Sequence, residues 1–214
     1  MSNRKLRVGW GLWALIFIQV SAISASAQQT QFVARSTRAT SLAPISSITT
    51  LYARDPIASS LCFADGREGG IFQEGRVFNR CSHIEFDNYK AGNLSVGIEG
   101  GELGRILDLG AAEDLQREYG YERVVHDQGF SSIIFREGKL MIMKDYRKGT
   151  FQELTEAAKL FEGSTSTASA EAKAGHIYIA RITDRNKKDF QILVKLLVLA
   201  ATPGQSVTFR WELL

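Results

Sequence analysis

The chain has 214 residues, 44% of them hydrophobic, which excludes general disorder because a chain of this composition can bury a core. Its formal net charge of +3 reflects 26 Lys and Arg against 23 Asp and Glu, and three of those bases lie in the first 27 residues. The rest of the chain is formally neutral and lacks the basic excess with which proteins neutralise phosphates, so no nucleic-acid partner is expected.

Residues 1–27 have the three parts of a secretion signal in the required order. A basic start precedes an apolar run over 8–23, and Ala25-Ser26-Ala27 then supplies the small-x-small pattern that signal peptidases cut after. The apolar run is shorter than the roughly 20 residues that a membrane-spanning helix needs. We therefore expect a secreted or periplasmic mature chain that begins at Gln28 and has no transmembrane span.

The mature chain divides by composition into two parts. Residues 28–60 are rich in Ser, Thr and Ala, and such a segment buries too little apolar surface to offset the entropy of ordering its backbone. We predict a flexible segment there and a single β-rich domain over 61–214.

Cys62 and Cys81 are the only two cysteines. Because thiols are usually oxidised outside the cytoplasm, a disulfide between them is predicted. It would close a loop of about 20 residues, worth on the order of 3 kcal/mol in the chain-entropy model. The alternatives are two separately buried thiols and, less favoured, a zinc site, since neither cysteine belongs to a Cys-x-x-Cys pair.

Alternating apolar residues predict a series of strands in the first part of the domain. They cover 76–87, 94–98, 106–109, 131–135 and 140–144. The last two are predicted to form a hairpin around Glu137-Gly138. A short helix is predicted over 111–119, where strong helix formers are followed by a glycine.

The clearest helical pattern begins at Thr150. Thr150 and Glu153 have the spacing of a capping box, in which each side chain satisfies a backbone N–H group at the helix start. Apolar residues then recur at three- and four-residue steps from Phe151 to Phe161, which is typical of a helix that faces a core. We predict a helix here, followed by a loop of small and polar residues over 164–174.

The last 40 or so residues predict sheet. The strand over 190–200 is apolar on both faces, which indicates a central position, and the strand over 176–183 precedes it. Thr202-Pro203-Gly204-Gln205 fits a type II turn that leads into a final strand, in which Val207 to Leu213 alternate inward and outward.

The predicted fold is mainly β. Because short turns join most strands, their pairing should be largely antiparallel, as in an antiparallel β-sandwich or partly open barrel with two peripheral helices. The alternative is an α+β sheet packed on the Thr150 helix.

The best candidate for chemistry is a polar strand face formed by His83, Glu85 and Asp87. Period-two spacing points the three side chains to one side, where they could bind a divalent metal or act as acid and base. A solvated outer face of an ordinary sheet explains them as well, and we favour that interpretation. No catalytic residue, metal ligand or cofactor is therefore predicted. His126 and His176 lie on other predicted strands, and the sequence does not show whether the three histidines meet.

The leading hypothesis is an exported, non-catalytic binding or structural module with an unidentified protein or glycan ligand. It rests on the neutral charge, the β-rich pattern and the lack of a catalytic motif. The alternative is an exported hydrolase, with or without a metal, that acts on envelope or extracellular material. That alternative requires His83, Glu85 and a second histidine around one concave pocket.

Overall fold

The computed structural model describes residues 46–69, 72–73, 76–77, 81–119, 129–145, 147–162 and 167–214. The predicted secretion signal, 1–27, and the predicted flexible residues 28–45 lie outside these ranges. In chain order the elements are β1 (Ser46–Tyr52), β2 (Ser60–Leu61), β3 (Phe72–Gln73), β4 (Arg76–Val77), β5 (Ile84–Phe86), β6 (Asn93–Val96), β7 (Glu102–Ala111), α1 (Ala112–Tyr119), β8 (Ile133–Arg136), β9 (Lys139–Asp145), β10 (Thr150–Glu153), β11 (Ser169–Glu171), β12 (His176–Asp184), β13 (Gln191–Thr202) and β14 (Ser206–Leu213). Phe130–Ser132 and Thr155–Leu160 form 3-10 helices.

Four antiparallel pairings join five strands into one sheet with the order β1-β14-β13-β12-β7. The strand predicted to be central, β13, is the middle strand of this sheet. The sheet stays open, because β1 and β7 lie at its two ends rather than beside each other. The prediction of a mainly β, antiparallel, sandwich-like fold is confirmed.

A second sheet, with the order β11-β6-β5-β2, covers one face of the five-stranded sheet. The two inner faces supply alternate apolar residues, as expected for stacked sheets. Trp211, Phe209 and Tyr178 from the five-stranded sheet belong to the same buried cluster as Phe63 and Phe86 from the other side. The inward alternation predicted for the last strand is therefore confirmed.

The opposite face of the five-stranded sheet has its own cover. Ile177 and Ile179 of β12 belong to a second buried cluster together with Leu115 of α1, Ile142 of β9 and Leu160 of the 3-10 helix. The helix α1 agrees with the predicted helix over 111–119. The β8–β9 hairpin is also confirmed, with Glu137 and Gly138 both at positive φ, as a two-residue hairpin turn requires.

The prediction of an α-helix that begins at Thr150 is wrong. Thr150–Glu153 is strand β10, which pairs antiparallel with β9. Asp145 Oδ1 accepts two backbone N–H groups of the intervening turn and so directs the chain back along β9. Hydrogen bonds to β9 satisfy the backbone groups that the capping box was expected to satisfy. The apolar residues that follow lie on a short 3-10 helix, in which Ala157 and Leu160 are buried.

Two segments predicted to lack regular structure contain strands. Ser46–Tyr52, inside the segment predicted to be flexible, pairs with β14 along its whole length, and Leu51 is fully buried. Ser169–Glu171, inside the loop predicted over 164–174, pairs with β6. In both cases a neighbouring strand supplies hydrogen-bond partners, so order does not depend on the segment's own hydrophobicity.

Candidate functional site

The predicted disulfide between Cys62 and Cys81 is present, with 5.2 Å between the two Cα atoms. It joins the end of β2 to the residue two positions before His83. Sγ of Cys81 lies 3.4 Å from Nε2 of His83, so the disulfide forms one wall around the imidazole ring.

His83 is held inside the protein and not on an outer face. Its side chain is 3% exposed, and the rings of Phe63 and Phe190 each lie with centroids 6.0 Å from the imidazole. The backbone N–H of Phe63 donates to Nδ1 at 3.0 Å. In the neutral ring, Nε2 therefore carries the proton. Burial lowers the pKa of His83 to about 4, so the ring is neutral over the physiological range.

Glu102, the first residue of β7, is the partner of His83. Its Oε1 lies 3.4 Å from Nε2 of His83, and its side chain is 5% exposed. Burial, with a smaller contribution from the charge of Glu99, raises the pKa of Glu102 to about 7. Its second oxygen, Oε2, has no hydrogen-bond partner among the described residues. The pair is therefore a neutral imidazole facing a carboxyl group that keeps its proton up to neutral pH.

The same place holds a compact set of metal-binding atom types, but they are not available as ligands. One donor atom from each of Cys62, Cys81 and His83 lies within 4.8 Å of the others. Both sulfurs are joined in the disulfide, and metals bind thiolates. Nδ1 of His83 already accepts the backbone N–H of Phe63, and Nε2 faces Glu102 Oε1 at 3.4 Å.

Glu85 is also buried, which contradicts the favoured interpretation of a solvated polar face. Its Oε2 accepts a hydrogen bond of 2.9 Å from Asn88 Nδ2, and burial raises its pKa. Ser60 of β2 lies directly opposite Glu85, and the backbone of Gly69 covers Ser60 so closely that a Cβ at position 69 would lie 2.1 Å from Ser60 Oγ. Residues 67–69 pair antiparallel with β2, so the segment that follows Cys62 lies along this edge of the second sheet.

Asp87 leaves the strand altogether, because its backbone is left-handed with φ of 69°. Its Oδ1 accepts the backbone N–H of Gly92 at 2.6 Å and that of Gly204 at 3.2 Å. Asp87 therefore joins the β5–β6 turn to the β13–β14 turn. His83, Glu85 and Asp87 consequently share no open face, and each has a separate set of partners.

The two histidines that the structure describes do not converge. His176 Nδ1 lies 2.9 Å from Asp108 Oδ1, and its ring is partly exposed at the start of β12. His83 contacts Glu102, six residues before Asp108 along the same strand, which corresponds to about 20 Å. His126, the third histidine, lies outside the described residues.

The sequence patterns did not reveal two buried charged residues, Glu102 and Lys195. Glu102 follows Gly100-Gly101, and nothing in its local pattern indicates burial. Lys195 interrupts the apolar strand β13, which is the kind of signal that marks a buried charge with dedicated partners. Its side chain is 1% exposed, and Nζ donates to the carbonyl oxygens of Phe130 and Ile133 at 3.0 and 2.9 Å.

The joined turns at 87–92 and 202–205 form an exposed surface that we call the loop rim. Tyr89 at its tip is 72% exposed, the most exposed of the large hydrophobic side chains in the described residues. Gly92 approaches Pro203 closely, since a Cβ at position 92 would lie 3.4 Å from the proline ring. The rim is therefore a fixed surface with an exposed aromatic residue.

Comparisons with protein-family models, with curated proteins and with solved structures found no match. Among the described residues, no helix is long and apolar enough to cross a membrane. The disulfide fits a protein that resides outside the reducing cytoplasm.

Proposed function

We propose that this chain is an exported, non-catalytic binding or structural module whose ligand is a protein or a glycan. The observation that carries the proposal is the enclosure of His83, the best candidate for catalysis. Its Nδ1 is used by the Phe63 backbone, and its Nε2–H faces a buried carboxyl group. These contacts stabilise the junction of the disulfide, β7 and the second sheet.

An exported hydrolase has less support from the same geometry. General acid–base catalysis requires a titratable group within reach of a substrate atom. The His83 and Glu102 side chains are almost fully buried. Glu85 accepts a hydrogen bond from Asn88, which is not part of the His83–Glu102 pair. A hydrolase using these residues would need the disulfide loop to move away from His83.

The loop rim is the surface that we assign to ligand contact. Exposed aromatic side chains supply large contact area with few rotatable bonds, which is why they are frequent in binding surfaces. Tyr89 projects from a turn that the Asp87 hydrogen bonds fix to its neighbour. A rigid turn loses less entropy when a ligand binds.

The first test uses the chain from residue 28 onward with its disulfide intact. Probes are a glycan array, insoluble peptidoglycan and chitin for sedimentation, and an array of immobilised extracellular protein domains. We expect saturable binding to at least one probe without release of soluble products. Tyr89→Ser should weaken that binding by about tenfold or more, since a central aromatic contact is often worth 2 kcal/mol or more.

Leu103→Ser is the matched control, because Leu103 is also an exposed apolar residue but lies at the start of β7, away from the loop rim. It should bind like the unaltered chain. Release of soluble sugar or peptide that His83→Gln abolishes would overturn the proposal in favour of a hydrolase. Absence of binding to every probe would also contradict it.

Export is the second part of the proposal and has its own measurement. We expect the full chain, expressed in a bacterial host, to be recovered from the periplasm or medium with Gln28 as its first residue, by N-terminal sequencing. Replacing Ala25 and Ala27 with bulky residues should block this cleavage, because signal peptidases require small side chains there. Full-length protein in the cytosol would contradict export.

A further inference from the structure

The two edges of the five-stranded sheet differ in how their outer backbone groups are used. The edge at β7 is partly covered, since the N–H of Ile106 donates to the carbonyl of Thr167 at 2.9 Å. Strand β7 also carries Arg105 and Asp108 and has an irregularity in its pairing with β12. Charges, irregularities and covering segments are the usual protection of an edge strand against pairing with another chain.

The edge at β1 has a different character. Its sequence, Ser-Ser-Ile-Thr-Thr-Leu-Tyr, contains no charge and no proline, and its pairing with β14 is regular from end to end. Ile48 at its middle is 62% exposed. Such a regular, uncharged edge is a ready template for a further strand.

The register shows which backbone groups point outward at this edge. The N–H of Ala53 donates to Gln205, which continues the β1–β14 pairing, so Ala53 and the alternate residues before it bond inward to β14. Ser46, Ile48 and Thr50 therefore direct their N–H and C=O groups away from the sheet. The N–H of Tyr52, on the same outward side, is already bonded to the carbonyl of Ala58, so within the part of the chain that the structure describes the unpaired edge ends before Tyr52.

We propose that two copies of this chain associate through their β1 strands, antiparallel and with Ile48 on the two-fold axis. In this register Ile48 faces its own copy, and Ser46 faces Thr50 of the other copy. All three outward residues find partners, each facing pair exchanging two N–H···O bonds. The two five-stranded sheets then form one continuous sheet, a typical closed arrangement for a homodimer.

The sequence around β1 agrees with this register. The next outward position, Tyr52, already uses both of its backbone groups, since its N–H donates to the carbonyl of Ala58 and its own carbonyl accepts the N–H of Asp55. Pairing between the two copies therefore ends at Thr50 without leaving the N–H group of Tyr52 unpaired. Self-pairing also brings no like charges together, because β1 has none.

Cysteine crosslinking tests both the dimer and its register. In an antiparallel pair, residues that exchange both hydrogen bonds have Cα atoms about 5.5 Å apart, within the range of a disulfide. Ile48→Cys in the chain from residue 28 should therefore give a covalent dimer on a non-reducing gel after mild oxidation. Thr50→Cys is the matched control, since its two copies would lie about 13 Å apart and should not crosslink.

Sedimentation velocity provides the second measurement. The unaltered chain should show a concentration-dependent shift from monomer to dimer, and Ile48→Lys should remain monomeric at every concentration because it places two like charges on the axis. Leu199→Lys, which adds the same charge at another exposed residue of the sheet, should still dimerise. A monomer at all concentrations, a dimer that survives Ile48→Lys, or crosslinking by Thr50→Cys would each overturn the proposal.

Discussion

At the scale of single residues, burial shifts the pKa values of His83 and Glu102 in opposite directions. Burial favours the neutral form of both groups, which lowers the pKa of the imidazole to about 4 and raises that of the carboxyl to about 7. A residue pattern on one strand could not show this, since Glu102 comes from a different strand. The sequence therefore identified His83 as unusual but assigned it the wrong surroundings.

We expect the contribution of His83 to stability to fall as the pH falls. Its folded pKa of about 4 lies below the ordinary value of 6.5, so the unfolded chain binds a proton first and folding loses free energy between pH 6.5 and 4. Glu102 acts in the opposite direction, since its folded pKa of about 7 exceeds 4.5 and stability grows as the pH falls from 7 to 4.5. The two effects nearly cancel between pH 4.5 and 6.5.

Urea unfolding of the unaltered chain and of His83→Gln at pH 7.5, 6, 5 and 4 separates the two effects. The variant has no imidazole to protonate. The unfolding free energy of the unaltered chain minus that of the variant should therefore fall by up to about 3 kcal/mol between pH 7.5 and pH 4. Any packing loss in the variant is independent of pH and shifts all points equally. A difference that stays constant from pH 7.5 to 4 would show that His83 is not buried as a neutral ring.

Lys195 gives a second prediction at this scale. Lys195→Met leaves the carbonyl groups of Phe130 and Ile133 without this donor and breaks the 3.2 Å ion pair with Glu212. We expect a loss of about 2–4 kcal/mol in unfolding free energy, because a buried polar group that loses its partner keeps its desolvation cost. Lys139→Met, which removes an exposed pair with Glu153, should cost at most about 1 kcal/mol. Equal losses in both variants would contradict the structural role of Lys195.

At the scale of elements, local patterns succeeded where the turn chemistry and the pairing agree. Glu137-Gly138 predicted a hairpin, and Pro203-Gly204 predicted the turn before the last strand, because both dipeptides restrict the backbone directly. The sequence that begins at Thr150 has a helical pattern. In the fold, however, this segment lies beside strand β9 and pairs with it as a strand. A single segment cannot reveal that competition, since the partner β9 lies outside its own sequence window.

The strand β1 is a second case in which the local sequence misled, because a segment predicted to be flexible is a strand. Its small polar residues predict disorder, and alternation is weak because only Leu51 is buried. The ordering comes from β14, whose Trp211 donates through Nε1 to Thr49 at 3.0 Å. Membership of an edge strand in a sheet is thus decided by the neighbour, and the sequence of the edge strand itself carries little of that information.

At the scale of the whole molecule, the disulfide should not stabilise the two stacked sheets equally. The central strands β12 and β13 are covered on both faces, whereas in the second sheet residues 67–69, which follow Cys62, pair along the edge at β2. The regions most protected against local opening are those with the most buried contacts. The second sheet should therefore depend on the disulfide more than the central sheet does.

Replacing both Cys62 and Cys81 with serine should lower the unfolding free energy by about 2–5 kcal/mol, because the loop that the disulfide closes is then free in the unfolded chain. Native-state hydrogen exchange should show faster exchange at the amides of β5 and β6, whereas those of β12 and β13 should change only by the global loss. The reason is that His83 loses the disulfide beside its ring, and β2, which pairs with β5, loses the link that holds residues 67–69 along its edge. If exchange rises equally in both sheets, the disulfide stabilises only by restricting the unfolded chain and does not hold the edge of the second sheet in place.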